Sequence, residues 1–267
     1  MQGQTIAMLG GTGFIGSRLV NVLVGAGAHV RIGARRREHA RHLATLPVDI
    51  VELSAFDVRE LARFVAGAQA AVNLVGVLRG GHGKPYGEGF ERLHVALPAA
   101  LAAACIEARV PRMLHVSALG ADPHAPSMYL RSKGDGEIAL RAQAAAGALD
   151  VTIFRPSIVF GPGDAFVNTF ARLQRIFPVL PLAMPDALMQ PVHVGDVAQA
   201  IANACVRDAR PDLRARRAAH LPARGDRPLC RAADRPPRAD RPAARRARAA
   251  AGARVRDAAG RAARLAR

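Results

Sequence analysis

Short apolar runs alternate with amphipathic segments over the first 205 residues of this 267-residue chain. The apolar runs predict strands buried on both faces, as in a parallel sheet, and the segments between them space apolar residues three or four positions apart, as helices do. The predicted strands are residues 5–9, 29–33, 48–53, 70–78, 112–117, 149–154 and 190–194, and the predicted helices are 14–27, 58–66, 90–109, 166–177 and segments that begin near 129 and 195. This alternation predicts an α/β fold with a doubly wound parallel sheet, whose ligand lies at the carboxyl ends of the strands.

A glycine-rich turn follows the first predicted strand and opens the first predicted helix. Its residues are Gly10, Gly11, Thr12, Gly13, Phe14, Ile15 and Gly16. Glycines suit a tight turn in which backbone approaches a pyrophosphate and the helix packs closely on the strand. The unpaired N–H groups and the dipole of the helix N-terminus then bind the phosphates. We therefore predict a Rossmann-like dinucleotide site, the alternative being a glycine-rich turn without a ligand.

Two arginines, Arg35 and Arg36, follow the second predicted strand. Sites for NAD carry an acidic residue about 20 positions after the glycines, where it binds the ribose 2′-hydroxyl. A carboxylate would repel a 2′-phosphate, whereas guanidinium groups pair with one. The sequence thus favours NADP(H) over NAD(H), and the alternative is a pair of solvated arginines with no ligand.

Three further segments lie near the predicted carboxyl edge of the sheet. Asp57 can accept a hydrogen bond from an adenine amino group while Val58 covers the ring, and Asp57 can equally cap the helix that follows. Backbone at Val75 and Gly76 can approach the cofactor. The loop between Arg79 and Gly89 contains five glycines, and we expect it to be mobile and close to the active site.

Candidate catalytic chemistry comes from Ser117, Tyr129 and Lys133. Four residues separate Tyr129 from Lys133, so the two share one helix face. We expect the lysine ammonium, together with the positive nicotinamide, to lower the pKa of the phenol and so to make Tyr129 an acid or base. Ser117, at a strand end, would hydrogen-bond a substrate carbonyl or hydroxyl while the nicotinamide exchanges hydride.

Together these segments resemble the short-chain dehydrogenase/reductase superfamily in its extended or atypical, epimerase-like branch. The resemblance rests on the glycine turn, Ser117, residues 129–133, residues 155–163 and residues 192–198. More narrowly, residues 115–121 followed by 129–133 resemble the NADPH-binding accessory subunit of respiratory complex I and its bacterial relatives. The resemblance implies that Tyr129, Lys133, Arg155 and Pro156 also contact the cofactor, and members of this branch are thought to bind it without obvious turnover.

One position departs from the family pattern. His94 stands where many members have an asparagine in the helix after the fourth strand. A core or cofactor-facing histidine is the simpler interpretation, and a role in proton relay is the alternative.

The composition changes abruptly at about residue 206. Residues 206–267 contain 19 Arg against 6 Asp, whereas residues 1–205 contain 19 Lys and Arg against 15 Asp and Glu, so the net charge of +17 belongs mostly to the tail. The tail uses only nine residue types, all with GC-rich codons, and has too few large apolar side chains to offset the entropy of ordering. We interpret it as a frameshifted segment, the alternative being a disordered basic tail that binds nucleic acid or acidic lipid.

Other features of composition narrow the class of protein. Three cysteines without paired spacing make a disulfide framework or a zinc site improbable, and no metal site is predicted. We find no export signal and no apolar run of membrane-spanning length, so we expect a cytoplasmic protein, and the resemblance adds a peripheral association with a respiratory complex or membrane. No nucleic acid partner is expected for residues 1–205.

These observations lead to three hypotheses. The first is an NADP(H)-binding protein like the complex I accessory subunit, active in respiratory or quinone metabolism. The second is an active sugar-nucleotide epimerase or dehydratase, or a carbonyl reductase. The third is a polyanion-binding protein that acts through its basic tail.

Overall fold

The computed structural model describes residues 1–164 and 190–206. A six-stranded parallel sheet has the order β3-β2-β1-β4-β5-β6. Its strands are β1 (Thr5–Leu9), β2 (His29–Ala34), β3 (Val48–Glu52), β4 (Ala70–Asn73), β5 (Arg112–Val116) and β6 (Asp150–Phe154). The strand order reverses between β1 and β4, which is where doubly wound sheets bind ligands. The predicted fold class is therefore confirmed.

The fourth strand is shorter than predicted, because it ends at Asn73 and not at residue 78. The Asn73 side-chain oxygen accepts a hydrogen bond from the Val75 N–H at 3.0 Å, a local bond that competes with the sheet ladder. The strand predicted at 190–194 is reduced to β8 (Val192–His193), which pairs in parallel with β7 (Val159–Phe160). The helix predicted at 166–177 lies outside the described residues.

Five α-helices and a 3-10 helix accompany the sheet in the described part of the chain. They are α1 (Phe14–Gly25), the 3-10 helix (Arg37–Leu43), α2 (Val58–Val65), α3 (Glu88–Glu107), α4 (Met128–Ala145) and α5 (Val194–Val206). Within α3, Glu91–Ala96 is π-helical and directly precedes the turn with Pro98. Proline has no N–H to donate to the carbonyl of residue 94, which explains the wider turn there.

The core has one layer on each face of the sheet. In β1, Ala7 and Leu9 pack with α2, α3 and α4, whereas Ile6 and Met8 pack with α1 and α5. All four residues are almost fully buried. The strand is therefore apolar on both faces, as its sequence predicted.

Helix α3 is the one described helix that is long and apolar enough to cross a membrane, with a mean hydropathy of 1.3. Its Leu101, Ala104 and Cys105 are fully buried in the core layer that α2 and α4 share. We therefore interpret α3 as a core helix of this domain.

An arginine fixes the last described helix to the sheet. The Arg112 guanidinium, at the start of β5, donates to the Ala204 carbonyl at 2.7 Å and to the Asp150 carboxylate at 2.7 and 3.1 Å. Arg112 is only 8% exposed. Because Ala204 lies in the last turn of α5, the cation also interacts favourably with the dipole of that helix.

Candidate functional site

The glycine turn is pressed against the neighbouring strand end. Gly10 has a φ of +80°, and a Cβ there would lie 3.0 Å from the Leu74 carbonyl carbon and 3.1 Å from the Val75 nitrogen. A Cβ on Gly16 would overlap the Gly10 carbonyl oxygen. The turn therefore requires glycine at these two positions and places bare backbone at the point where the sheet order reverses.

The N-terminus of α1 is open above this turn. Gly13 is the N-cap residue, and no side chain caps the first turn of the helix. Thr12, Phe14 and Ile15 are each partly exposed. The unpaired N–H groups of the first helical turn can therefore donate hydrogen bonds to a pyrophosphate, and this backbone cradle fits the predicted dinucleotide.

The two predicted phosphate-binding arginines lie just beyond β2. Arg35 and Arg36 are both exposed, and neither forms an ion pair with another described residue. The segment that follows is tied to α1, because Ser17 Oγ lies 2.8 Å from the Gly13 oxygen and 2.9 Å from His42 Nε2. Since the hydroxyl donates to the carbonyl, the ring nitrogen of His42 must donate to the hydroxyl. This contact holds the arginine-bearing segment next to the glycine turn.

Asp57 adopts the capping role that was one of its two predicted functions. Its carboxylate accepts a hydrogen bond from the Glu60 N–H at 2.8 Å, at the N-terminus of α2. Glu60 in turn accepts from the N–H groups of Ser54, Ala55 and Phe56. Asp57 is exposed and Val58 half-buried, and their contact with an adenine stays a prediction.

Lys133 lies almost fully buried on α4, with 2% of its surface exposed. Its ammonium donates to the Val116 carbonyl at 3.1 Å and to the Val75 carbonyl at 3.5 Å. Burial lowers the pKa of Lys133 to about 8, although the Glu137 carboxylate counteracts the shift. The lysine thus joins the ends of β4 and β5 beneath the candidate site.

Tyr129, one helical turn before Lys133, packs edge-on against two other rings. The ring centroid of His94 lies 5.5 Å away at 85°, and that of Phe90 lies 6.4 Å away at 70°. Burial raises the pKa of Tyr129. Burial thus opposes the expected lowering of this pKa in the protein alone, and the lowering by Lys133 together with a nicotinamide stays a prediction.

Ser117 follows β5 and lies beside Glu137, which is two turns after Tyr129 on α4. The Ser117 hydroxyl is near enough to help lower the pKa of the Glu137 carboxyl, yet this hydroxyl makes no hydrogen bond of good geometry with any described residue. The two groups are therefore neighbours without a formed hydrogen bond. A contact of Ser117 with substrate stays a prediction.

Arg155 and Pro156 are both engaged within the fold. The Arg155 guanidinium forms a two-pronged ion pair with Glu137, at 2.7 Å from Nε and 2.6 Å from Nη2. The Pro156 carbonyl accepts from the Leu119 N–H at 2.9 Å. Their predicted contacts with a cofactor would therefore use groups other than these.

The loop between Arg79 and Gly89 makes hydrogen bonds to helix α4, and its expected mobility stays a prediction. Arg131 of α4 donates to the Pro85 carbonyl at 2.8 and 3.1 Å, and the Tyr86 hydroxyl donates to Asp135 at 2.8 Å. Arg131 also donates to the carbonyls of residues 125 and 126. One guanidinium therefore links the loop at residues 79–89 to the segment that directly precedes α4.

Sequence reasoning missed Glu137 and Ser132. Both lie on the buried face of α4 together with Lys133. The spacing of Glu137, four residues after Lys133, was a usable signal, because helix neighbours at that spacing share a face. Ser132 carried no comparable signal.

The comparisons with known proteins agree with this geometry. A family model described as "NAD dependent epimerase/dehydratase family" matches residues 6–212. The mitochondrial NADH dehydrogenase (ubiquinone) 1 alpha subcomplex subunit 9 of Rattus norvegicus is 35% identical over 211 residues, which are 76% of this chain and 54% of that protein. A ceramide reductase of Caulobacter vibrioides is 32% identical over 200 residues, which are 75% of this chain and 60% of that protein. The chain thus spans little more than half the length of these relatives.

Solved structures show the same fold at lower identity. A UDP-glucose 4-epimerase of Thermus thermophilus, in complex with NAD, has a TM-score of 0.64 at 22% identity and covers 76% of this chain and 75% of its own. A UDP-glucuronic acid 4-epimerase of Bacillus cereus, in complex with UDP-glucuronic acid and NAD, has a TM-score of 0.65 at 16% identity, over 76% and 74% of the two chains.

Proposed function

Because the chain belongs to the NAD-dependent epimerase/dehydratase family, we propose that it binds NADP(H) in preference to NAD(H). The pyrophosphate would bind the N-terminus of α1 at Gly13, and the 2′-phosphate would bind Arg35 and Arg36. Bound in this way, the cofactor would supply or accept hydride at its nicotinamide ring.

The observation that carries this proposal is the glycine turn at the reversal point of the sheet. Side chains are excluded at Gly10 and Gly16, and no side chain caps α1, so backbone N–H groups are available to phosphate. Arg35 and Arg36 stand next to this turn, because Leu9 pairs with Gly33 in the sheet. Positive charge at this place favours a 2′-phosphate.

The test is a comparison of NADPH and NADH affinity in the full chain and in Arg35→Asp. We expect the variant to lose at least about tenfold in NADPH affinity with little change for NADH, since a hydrogen bond to a charged group contributes about 1.5–3 kcal/mol. Arg41→Asp is the matched control, because Arg41 is an exposed arginine at the far end of the same segment. An unchanged NADPH to NADH ratio in Arg35→Asp would contradict the preference.

We propose further that cofactor binding, and not turnover, is the main role, in a peripheral respiratory assembly on the cytoplasmic side of the membrane. The similarity to the rat complex I subunit supports this role. Burial raises the pKa of Tyr129, so in the protein alone its phenol is protonated at neutral pH. Co-migration of the tagged full chain with NADH:quinone oxidoreductase activity on a native gel tests the assembly, and migration apart from that activity would contradict it.

Carbonyl reduction is a second candidate, and the same phenol favours it over epimerisation. A protonated Tyr129 would donate its proton to a carbonyl oxygen, and solvent would reprotonate the tyrosinate. A bound NADPH would supply the hydride for the carbonyl carbon, so that the products would be an alcohol and NADP⁺. The similarity to a ceramide reductase supports this chemistry. Tyr129→Phe should abolish any NADPH oxidation with carbonyl compounds, whereas Tyr86→Phe, at the other tyrosine of the chain, should not.

A further inference from the structure

The backbone between Val75 and Val77 is held by side chains from two helices. Lys133 Nζ donates to the Val75 carbonyl, and His94 Nε2 accepts from the Val77 N–H at 3.0 Å. Gly76 lies between these two contacts and is exposed. A Cβ on Gly76 would meet Lys133 Nζ at 3.4 Å and His94 Nε2 at 3.8 Å, so both side chains lie directly beside it.

Hydrogen-bond donors and acceptors fix the protonation of the His94 ring. Because Nε2 accepts from the Val77 N–H, the ring proton must reside on Nδ1. Nδ1 lies 2.9 Å from Ser132 Oγ, and that hydroxyl donates to the Tyr129 carbonyl at 2.8 Å. A directed chain of three hydrogen bonds therefore runs from Val77 through His94 and Ser132 to the backbone of Tyr129.

His94 itself has almost no freedom to move. It is 0% exposed and lies in the π-helical segment of α3. A Cβ on Gly136 would overlap the His94 carbonyl oxygen, so α3 and α4 touch through backbone at this point. Burial, reinforced by the Lys133 charge, lowers the pKa of His94 to about 3, and the ring stays neutral at physiological pH.

The segment that His94 holds belongs to one half of the proposed cofactor site. Arg35 and Arg36 assign the phosphorylated adenosine to the β2 side of the sheet. A dinucleotide bound across the reversal point between β1 and β4 would then have its nicotinamide half near the ends of β4 and β5. Val75 to Val77 follow β4, and Tyr129 and Lys133 lie beside them.

We infer that His94 is a positioning residue that joins the Val75–Val77 backbone to the Tyr129 turn and so forms a rigid seat for the nicotinamide half of the cofactor. This inference rests on the proposed NADP(H) binding. Loss of His94 should therefore weaken binding of the nicotinamide end of the cofactor alone. The adenosine end, more than one strand away, should keep its affinity.

The test compares two ligands, NADPH and 2′-phospho-ADP-ribose, which lacks the nicotinamide. His94→Phe keeps a ring but leaves the Val77 N–H and Ser132 Oγ without their partner. We expect it to weaken NADPH binding by about tenfold and to change binding of the fragment by less than about twofold. His94→Gln, whose amide can both accept from Val77 and donate to Ser132, should restore NADPH affinity.

A second variant keeps the inference testable where His94→Phe does not fold. Ser132→Ala removes the middle of the hydrogen-bond chain and should produce the same selective loss of NADPH affinity, with a smaller fold-change. Equal losses for both ligands in the variants, or no loss for either, would overturn the positioning role. If the unaltered protein bound neither ligand, the proposed function would fail first and this inference with it.

Discussion

Glu137 and Arg155 form a two-pronged ion pair that links the middle of α4 to the end of β6, with Nε–Oε1 and Nη2–Oε2 distances of 2.7 and 2.6 Å. The Glu137 side chain is 2% exposed and that of Arg155 is 16% exposed. Burial alone would raise the pKa of Glu137, but hydrogen bonds from Arg155 and Arg141 outweigh it, and the pKa lies below its ordinary value of 4.5. The pair therefore fixes the chain segment that leads from the sheet toward β7.

Glu137→Gln should destabilise the protein by about 3 kcal/mol, because it removes the carboxylate that pairs with the mostly buried Arg155 guanidinium. The free energy of unfolding in urea measures this loss. Arg141→Ala is the control, since Arg141 binds the same carboxylate from a half-exposed position and should cost less than about 1 kcal/mol. Equal losses in the two variants would argue against a special role for the Arg155 contact.

Acid should destabilise the protein between pH 6.5 and 4.5 through two buried histidines. Burial lowers the pKa of His94 to about 3, and burial together with the Lys133 charge lowers that of His115 well below its ordinary value of 6.5. The unfolded chain takes up both protons below pH 6.5 while the folded chain does not, so stability falls as the pH falls.

The expected slope is about 2.7 kcal/mol per pH unit for the two histidines, and His94→Gln should halve it. Urea unfolding at several pH values measures both slopes. Glu137 adds to the loss only below its ordinary pKa of 4.5, so the window above that value reports on the histidines. A slope that His94→Gln leaves unchanged would contradict the neutral, buried ring.

Gly13→Asp should separate folding from cofactor binding. Aspartate is a favourable N-cap residue, and its carboxylate would bind the first-turn N–H groups of α1 that Gly13 leaves uncapped. A Cβ there meets only the Gly10 oxygen, at 3.3 Å, so the backbone needs to give by a few tenths of an ångström. We expect the melting temperature to stay unchanged, whereas NADPH binding is lost because the new carboxylate repels the pyrophosphate.

Gly13→Ser is the matched variant, because it caps the helix without a negative charge. It should retain more NADPH affinity than Gly13→Asp does. If both variants bound NADPH as well as the unaltered chain does, the pyrophosphate would not lie on the α1 N-terminus.

The elements of the sheet and the glycine turn could be predicted because their signals are local. Apolar runs define β1 and β2, and the spacing of glycines defines the turn, within a few neighbouring residues. The contacts that organise the candidate site are not local in this sense. His94 pairs with Val77 and Ser132, 17 and 38 residues away, and no sequence period records such a pairing.

Two other expectations depend on residues that are distant in sequence. The five glycines at 79–89 predict mobility, and Arg131, which lies 46 residues beyond Pro85, donates hydrogen bonds to this loop from α4. Lys133 and a nicotinamide are expected to lower the pKa of Tyr129, whereas burial by distant parts of the chain raises it in the protein alone. Glycine content and residue spacing are local properties, whereas the hydrogen bonds of a loop and the burial of a side chain depend on residues far away in sequence.

We propose that residues 206–267 are translated in a shifted frame, and the nucleotide sequence of the gene tests this directly. An open alternative frame that continues from near codon 205 and encodes a mixed, apolar-rich segment is expected. A gene with no such frame would contradict the shift. In that case deletion of residues 206–267 should abolish polyanion binding and leave NADPH binding intact.

The bond between Arg112 and the Ala204 carbonyl sets a limit on how far any such shift can reach back toward the start of the gene. Helix α5 closes the core layer under α1 with Ile201, Ala202 and Cys205, and each of these residues is buried. A frameshift before this point would have replaced the apolar residues of α5 that pack against the sheet. The core layer on the α1 side of the sheet thus already contains α5, and the change in composition begins only after the residues that this layer uses.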